Sequence, residues 1–240
     1  MNNKLGFGGE HLGKEFDLVS LAWPYNERFQ KSAALVMAES LIGKKGGRIL
    51  DLGAGTGLTA LPLLGMISKS HHVIELEAQP IMLDQARLKL RDYSEQTEYI
   101  LDDALNALSP MPSNSLDGVI SGFFFHNLPK DQRASLWELL SDRLRPGAMI
   151  SACDKVVPDN LDLHRLLVQE QIKTFDVFAE HGHPELQREW AEHTHQDDLD
   201  PVTESELREM MRYGFTDLQI FERELVDIRF SCRLPQSHEM

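Results

Sequence analysis

The strongest constraint on the fold is a glycine-rich turn that separates an apolar run from a helix-compatible stretch. Residues 49–57 read Ile-Leu-Asp-Leu-Gly-Ala-Gly-Thr-Gly, so a short strand ends where the glycines begin. Glycine permits the dihedral angles of a sharp turn and lets the backbone approach a ligand closely. A strand, a glycine turn and a helix in this order predict a unit of an open α/β sheet that holds a ligand at the turn.

Strand-like and helix-like segments alternate along the chain after this turn. Helices are predicted from Pro80, a favoured first helical position, and between Pro129 and Leu144. Strands are predicted at residues 48–52, 72–77, 97–101, 116–121 and 148–153. Repeated alternation of this kind predicts a parallel sheet that is covered by helices on both faces.

The end of the chain changes character. Thr203-Glu-Ser-Glu206 is a capping box that predicts a helix start, and Gly214 lies where that helix would end. Residues 215–221 and 225–234 predict two strands joined by a tight connection, because apolar and polar residues alternate in the second. The predicted fold class is therefore α/β, with a doubly wound, mostly parallel, seven-stranded Rossmann-like sheet, a C-terminal antiparallel strand pair and a helical cap.

The length of 240 residues suits one domain. We predict a single domain over 1–240, with a core that comprises residues 48–155 and 201–234. Residues 1–47 and 156–200 lie outside that core. Both contain helix-compatible apolar patterns, so we expect them to form a helical cap over the ends of the strands.

The charge balance restricts the partners of the chain. It has 24 Lys and Arg residues against 38 Asp and Glu residues, a formal net charge of −14. Nucleic-acid binding depends on neutralising phosphates with basic side chains, so we expect no nucleic-acid partner. No apolar run approaches the roughly 18 residues of a membrane span, and the N-terminus lacks the apolar core of a signal peptide. We therefore expect no membrane contact and a cytoplasmic location.

A dinucleotide-binding loop is the alternative for the glycine turn. In the pattern Gly-x-Gly-x-x-Gly the third glycine would fall at position 58, which is Leu58. Here the third glycine is Gly57, and an acid, Asp51, stands two positions before the first glycine, Gly53. Both departures count against a nicotinamide cofactor.

The same turn resembles the first motif of the class I S-adenosylmethionine-dependent methyltransferase family, and the resemblance extends from residue 48 to residue 154. Further landmarks follow in the order of that family. They are an acid after the second strand, an acid–alanine pair after the third, an aromatic loop after the fourth and Arg145-Pro-Gly147 before the fifth. The resemblance implies a Rossmann-like methyltransferase fold, S-adenosylmethionine as the cofactor and S-adenosylhomocysteine as the product.

The resemblance also implies which residues would bind the cofactor. Asp51 and the glycine turn would contact the methionine and ribose parts, and Glu77 would accept hydrogen bonds from the ribose hydroxyls. Asp103 and Ala104 would contact the adenine, with Asp102 as the alternative to Asp103. The full expected set is Asp51, Gly53, Ala54, Gly55, Gly57, Glu77, Ala78, Met82, Asp103, Ala104, Ser121, Gly122 and Phe123.

The methyl acceptor is expected to be a small, partly apolar molecule that is methylated by in-line displacement. Family members that methylate nucleic-acid amino groups carry a proline pair after the fourth strand, whereas this chain reads Ser121-Gly-Phe-Phe124 there. Trp23, Tyr25 and Phe124 are the candidate substrate residues. Ordinary core packing is the alternative for such aromatic side chains.

His126 and Asp154 are the candidate catalytic residues. They follow the predicted fourth strand and end the predicted fifth, where active-site residues of open sheets gather. Imidazole has a suitable intrinsic pKa for a general base. A structural role in packing or loop hydrogen bonding is the alternative for His126.

Four further histidines form two short pairs, His181-Gly-His183 and His193-Thr-His195. Imidazole is a common metal ligand, but short pairs on a polar helical segment do not fix a tetrahedral geometry. We therefore expect these four side chains to lie on a solvated surface, and we expect no bound metal.

Two other kinds of function remain open for a chain with these features. A protein that binds S-adenosylmethionine can transfer a group other than methyl or modify the cofactor itself. It can also bind the cofactor without catalysis and serve as a partner protein.

Overall fold

The structure is a computed structural model and describes residues 11–236. Its centre is a single sheet of strands β1 Gly47–Leu52, β2 His71–Glu77, β3 Thr97–Leu101, β4 Leu116–Gly122, β5 Leu144–Lys155, β6 Thr216–Glu224 and β7 Asp227–Arg233. The strand order is β3-β2-β1-β4-β5-β7-β6. The first five strands are parallel, and β7 is antiparallel to both β5 and β6. The predicted Rossmann-like α/β fold with its closing antiparallel pair is confirmed.

Ten α-helices are present in the described part of the chain: α1 Val19–Ala22, α2 Asn26–Ser40, α3 Ala60–Leu64, α4 Pro80–Lys89, α5 Ala104–Leu108, α6 Lys130–Arg143, α7 Leu161–Thr174, α8 Asp176–Glu180, α9 Pro184–Asp197 and α10 Glu204–Glu209. The N-cap half of the predicted capping box is formed, since the Thr203 hydroxyl accepts the Glu206 N–H at 3.1 Å, whereas the Glu206 carboxylate accepts hydrogen bonds from Arg133. Within residues 11–236, no helix is both long and apolar enough to cross a membrane.

Side chains of the parallel strands alternate between the two faces of the sheet and build two apolar layers. Leu50 and Leu52 belong to one layer, together with side chains of α5, α6 and α10. Ile49 and Val73 belong to the other layer, together with side chains of α2 and α3. The sheet is therefore covered on both faces, as expected for parallel strands.

Helix α2 is part of the core, which corrects the expected division of the chain. The sequence assigned all of residues 1–47 to the cap. Ala34, Met37 and Leu41 are instead buried against the sheet, in the same apolar layer as Ile49. Residues 1–10 of the expected cap segment lie outside the described residues.

The remaining parts of the two expected cap segments pack against each other. Trp23, which follows α1, contacts Phe175 and Trp190 with ring centroids 5.6 and 5.1 Å apart. Phe178 and Leu186 complete this apolar cluster with α1 and the segment before it. Helices α7 to α9 and the first turns of the chain thus share one small core of their own.

Strand β5 begins earlier than the sequence predicted. Arg145-Pro-Gly147 was expected to stop a helix before the strand, but the strand already starts at Leu144. The register between β4 and β5 shifts between Leu116 and Gly118, and Gly147 has a φ of 81°. The glycine therefore forms an irregularity within the strand, because its left-handed conformation is open to glycine at little cost.

The strand order reverses between β1 and β4. Loops that follow the strands on either side of such a reversal diverge and leave a crevice at the carboxyl ends. The glycine turn follows β1, and the aromatic loop that begins at Phe123 follows β4. Both borders of the crevice therefore carry residues that the sequence assigned to a site.

Candidate functional site

The glycine turn adopts a backbone conformation that other residues rarely take. Gly53, Gly55 and Gly57 have φ angles of 71°, 55° and 82°. A Cβ atom added to Gly53 would lie 2.3 Å from the Phe124 ring, so this ring packs directly on the turn. The turn is thus fixed against the loop after β4, with little room for a side chain between them.

Glu77 ends β2 beside the glycine turn. Its carboxylate accepts the N–H of Gly55 at 3.0 Å and the N–H of Gln79 at 2.8 Å. Burial raises the pKa of Glu77, and these backbone hydrogen bonds oppose that rise. Met82, on the first turns of α4, is buried on the other side of the turn, 3.6 Å from where a Cβ of Gly55 would lie.

Asp103 and Ala104 lie at the start of α5. Asp103 caps that helix, since its carboxylate accepts the N–H of Leu105 at 2.9 Å, and Ala104 is buried. Asp102 accepts the N–H of Asp103 at 2.8 Å. Both acids are exposed at the carboxyl end of β3, so either could still face a ligand.

The end of β4 is tied closely to β1. The Ser121 hydroxyl donates to the Leu52 carbonyl at 2.8 Å, and a Cβ at Gly122 would lie 2.5 Å from the Thr59 hydroxyl. Phe123 then has a φ of 60°, an unusual angle for a bulky residue. Such strain persists where the surrounding structure holds it, and it clusters at ligand sites.

Asp51 lies beneath the glycine turn and is fully buried. Burial raises the pKa of Asp51 to about 8, the charge of Glu77 adds to the rise, and the Ala60 N–H opposes it. Ala54 is buried above it, whereas Ala78 is exposed after β2. The cofactor candidates near this turn therefore range from fully buried, as Asp51 is, to exposed, as Ala78 is.

His126 and Asp154 form a buried dyad at the carboxyl ends of β4 and β5. His126 Nδ1 and Asp154 Oδ1 are 2.5 Å apart. Asp154 also accepts the N–H of Phe125 at 2.6 Å and the N–H of Lys155 at 2.7 Å. These bonds occupy the carboxylate, so Asp154 fixes the ring of His126, and the second ring nitrogen, Nε2, faces away from it.

The Nε2 atom of His126 faces side chains of α9. It lies 3.7 Å from Asp197 Oδ2, and His193 Nε2 lies 3.5 Å from the same oxygen. Lys155 donates to this oxygen at 2.7 Å. Burial alone would raise the pKa of Asp197, but the Lys155 ammonium and the two histidines together hold it below its ordinary value.

His193 corrects the expectation for the four histidines of the cap. All four were expected on a solvated surface, yet His193 is 1 % exposed and adjoins His126. His181 and His195 are exposed and His183 is half-buried. The phase of α9 is the cause, because His193 and Asp197 are four residues apart and share the inward face of the helix.

Tyr25 lies next to this group of charges. Its hydroxyl donates to Asp227 Oδ2 at 2.7 Å, and Asp227 is the register partner of Lys155. Burial raises the pKa of Asp227 to about 6, although Lys155 and the Tyr25 hydrogen bond oppose that rise. Burial and the charge of Asp227 raise the pKa of Tyr25 well above its usual range.

Trp23 contacts both the loop after β4 and the charged residues around Lys155. Its ring stacks on Phe123 with centroids 6.1 Å apart, and Lys155 Nζ lies 5.5 Å from the centroid of the same ring. The structure thus brings the predicted residues Trp23, Tyr25, His126 and Asp154 into one region. Sequence reasoning missed four charged or titratable members of that region: Lys155, His193, Asp197 and Asp227.

The chain resembles known proteins over its central part. A family described as "Methyltransferase domain" matches residues 49–147. Carboxy-S-adenosyl-L-methionine synthase of Helicobacter hepaticus is 25% identical over 125 residues, which cover 52% of this chain and 51% of that protein. Ubiquinone/menaquinone biosynthesis C-methyltransferase UbiE of Vibrio cholerae is 26% identical over 147 residues, or 60% of this chain and 51% of that protein. The chain therefore matches about half the length of each of these relatives.

A solved structure agrees on the fold. A SAM-dependent methyltransferase from Aquifex aeolicus superposes with a TM-score of 0.56 at 17% identity, covering 88% of this chain and 92% of that one. The seven-stranded sheet with its closing antiparallel pair and the glycine turn after β1 define the class I methyltransferase architecture. With the domain match over residues 49–147 added, the chain is similar to class I S-adenosylmethionine-dependent methyltransferases in its fold and in its central sequence.

The residues of this chain fit the cofactor of that family, S-adenosylmethionine. The left-handed glycines leave backbone, without side chains, along the turn after β1. Glu77 is held beside that turn by the N–H of Gly55, although 22 residues separate them in sequence. An acid at this place can accept hydrogen bonds from ribose hydroxyls.

Proposed function

We propose that this protein transfers a methyl group from S-adenosylmethionine to a small molecule whose reacting atom carries a proton. The observation that carries the proposal is that residues 124–126 join the glycine turn to the His126–Asp154 dyad. The glycine turn packs on Phe124, and the next two residues, Phe125 and His126, both bind Asp154. A cofactor held at the turn and an acceptor held at the dyad would therefore be neighbours.

When bound, the cofactor supplies a methyl group on a positively charged sulfur. The protein residues would then have to hold the acceptor in line, exclude water and take up a proton. His126 is the residue we assign to the proton, because Asp154 fixes its Nδ1 and its Nε2 points to the opposite side of the ring, toward α9. Asp154 is assigned a positioning role, since its oxygens are occupied by two backbone N–H groups and the ring.

The surroundings of the dyad support a small, partly aromatic or apolar acceptor. The Lys155 ammonium lies 5.5 Å from the ring centroid of Trp23 and 6.0 Å from that of Trp190, and the Trp23 ring stacks on Phe123. Aromatic faces of this kind bind apolar or cationic groups. We assign Trp23, Tyr25 and Phe124 to the acceptor side, and the net charge of −14 favours an acceptor other than nucleic acid.

S-adenosylmethionine or S-adenosylhomocysteine is expected to stabilise the fold. Ligand at a hundred times its dissociation constant should add about 2.7 kcal/mol, which corresponds to roughly 5–10 °C in the melting temperature of a chain of this size. Glu77→Ala should weaken binding by about 1.5–3 kcal/mol through lost charge-assisted hydrogen bonds. Differential scanning fluorimetry and calorimetry measure both effects.

A matched control is Asp84→Ala, which removes an exposed acid from the nearby helix α4. It should leave the shift intact. The assignment of the cofactor would be wrong if neither ligand raised the melting temperature while NAD did, or if Asp84→Ala and Glu77→Ala had the same effect.

A second candidate function is modification of the cofactor itself. The observation that favours it is the match to a carboxy-S-adenosyl-L-methionine synthase, which equals the match to UbiE in extent relative to the length of the relative. Mass spectrometry of ligand retained through purification separates the two. Retained S-adenosylhomocysteine supports methyl transfer, whereas a heavier, carboxylated ligand supports the second candidate.

A further inference from the structure

We propose that His126, His193 and Asp197 bind one divalent transition-metal cation of the Zn²⁺ type at the acceptor side of the site. These three buried side chains each offer one ligand atom, and the three atoms lie within 4.8 Å of one another. Two imidazoles and one carboxylate are a donor set that Zn²⁺ and neighbouring divalent metals prefer, with a position left open for a further ligand.

The spacing of the donor atoms matches a metal site. Bonds of about 2.0–2.2 Å in tetrahedral geometry place neighbouring ligand atoms about 3.3–3.6 Å apart. Asp197 Oδ2 lies 3.5 Å from His193 Nε2 and 3.7 Å from His126 Nε2. The third donor pair, the two imidazoles, also lies within 4.8 Å, so the three atoms are close enough together to surround one ion.

The groups behind the donors also fit. A metal-binding histidine usually donates its other ring N–H to a carboxylate, which fixes the tautomer and the ring orientation. Asp154 holds the Nδ1 of His126 in this way at 2.5 Å. Helix α9 aligns the other two ligands, because His193 and Asp197 are one helical turn apart on its buried face.

Charge favours an ion at this place. Three buried carboxyl groups, those of Asp154, Asp197 and Asp227, lie close to Lys155. A divalent cation would be attracted to a place with three acids and one ammonium group. Lys155 donates to Asp197 Oδ2, the oxygen within 3.7 Å of both imidazole nitrogens, and a carboxylate oxygen has a second lone pair for a cation.

A bound ion would offer a second way to remove the proton of the acceptor, and this role rests on the proposed function. A metal ion lowers the pKa of an oxygen or sulfur that binds it, so the acceptor would bind as its anion and its proton would pass to water. In this form His126 is a ligand instead of a base. Binding of the ion itself does not depend on the reaction.

The test is a titration of the full, tag-free chain with Zn²⁺ by calorimetry after treatment with a chelator. We expect one Zn²⁺ per chain. His193→Asn and Asp197→Asn should each lower the affinity at least about 10²-fold, and Asp154→Asn about 10- to 10²-fold. His195→Asn is the matched control, because it removes an exposed imidazole from the same helix and should leave the affinity unchanged.

Two further measurements keep the proposal testable if a buried substitution unfolds the chain. Co²⁺ added to the unaltered protein should give the visible absorption bands of a tetrahedral site with nitrogen and oxygen ligands. Mg²⁺ should bind far more weakly than Zn²⁺, since it prefers oxygen ligands in octahedral geometry. The proposal is overturned if Zn²⁺ does not bind, if His195→Asn abolishes binding as His193→Asn does, or if Mg²⁺ binds as tightly.

The same samples separate this inference from the proposed function. If S-adenosylmethionine raises the melting temperature and Zn²⁺ does not bind, the metal site alone is wrong. If Zn²⁺ binds to the histidines and neither S-adenosylmethionine nor S-adenosylhomocysteine has an effect, the metal site stands and the proposed function fails.

Discussion

His126→Asn should lower the rate of methyl transfer by about 10²- to 10⁴-fold while the affinity for S-adenosylmethionine stays almost unchanged. The ring is 2 % exposed and fixed by Asp154, so the substitution removes the one side chain we assign to the acceptor proton. Glu77 binds the glycine turn, which packs on Phe124, and the substitution should leave both in place. Release of S-adenosylhomocysteine measures the rate, and calorimetry measures the affinity.

His164→Asn is the matched control for this experiment. His164 is also a buried imidazole paired with a carboxylate, here Asp198 at 2.5 Å, but it belongs to α7 and lies outside the dyad. It should keep a rate close to that of the unaltered protein. Unchanged turnover in His126→Asn, or an equal loss in His164→Asn, would contradict the assigned role.

His193→Asn separates the two roles proposed for His126. If the ring acts as a base without a metal, loss of His193 should leave most of the turnover, because Asp154 still fixes the His126 ring. If an ion takes up the charge of the acceptor, loss of His193 should lower turnover as strongly as loss of His126 does. A chelator should then reproduce the effect in the unaltered protein.

The fold, and the edge of the sheet where the cofactor candidates lie, could be predicted from the sequence because their determinants are local. The glycine turn lies within nine consecutive residues, 49–57, and the positions of its glycines predict where the left-handed dihedral angles occur. Glu77 ends the second strand, one strand–helix–strand unit along the chain, and its place follows from the same alternation. Parallel strands bring such positions to one edge of the sheet, so sequence order translates directly into proximity.

The acceptor side could be predicted only in part, because helices from a distant segment complete it. His126 and Asp154 follow sheet strands and were found by that rule, whereas Lys155, His193 and Asp197 meet them only in the folded chain. The four-residue spacing of His193 and Asp197 was visible, but sequence alone does not say which face of α9 is buried. The polar composition of α9 predicted that these side chains face solvent. They are buried instead, because the opposite charges in the cluster compensate one another.

Helix α2 was misassigned for a similar reason. Its apolar residues recur at helical spacing, which predicts a buried face but not the surface that covers it. Ala34 and Met37 pack on the sheet, and a Cβ at Gly118 would lie 2.6 Å from Met37 Sδ. The absence of a side chain at Gly118 is thus what admits the helix, a complementarity between residues far apart in sequence.

Glu75 is the most unusual buried group on the cofactor side. It is the register partner of Asp51 in the neighbouring strand, and both side chains are fully buried. Neither Glu75 oxygen has a hydrogen-bond partner within residues 11–236. Burial raises the pKa of Glu75 well above its usual range, and the charge of Asp51 raises it further. The folded protein therefore retains a proton that the unfolded chain releases near pH 4.

Retention of that proton makes the free energy of unfolding fall as pH rises. The folded pKa of each acid is raised, so the stability is fully present below about pH 4 and declines up to the folded pKa, which for Asp51 is about 8. One retained proton corresponds to about 1.4 kcal/mol for each pH unit between the unfolded and the folded pKa.

Glu75→Gln should remove most of the pH dependence that Glu75 gives to the free energy of unfolding. The amide has the same shape, carries no charge and does not repel Asp51. Urea denaturation at pH 5 and pH 8 is the measurement. The variant should be more stable than the unaltered protein by a larger margin at pH 8 than at pH 5. Glu95→Gln, at an exposed acid before β3, is the control and should follow the pH dependence of the unaltered protein. Parallel curves for Glu75→Gln and Glu95→Gln would mean that the buried pair is ionised in the folded state, against the cost of burying unpaired charge.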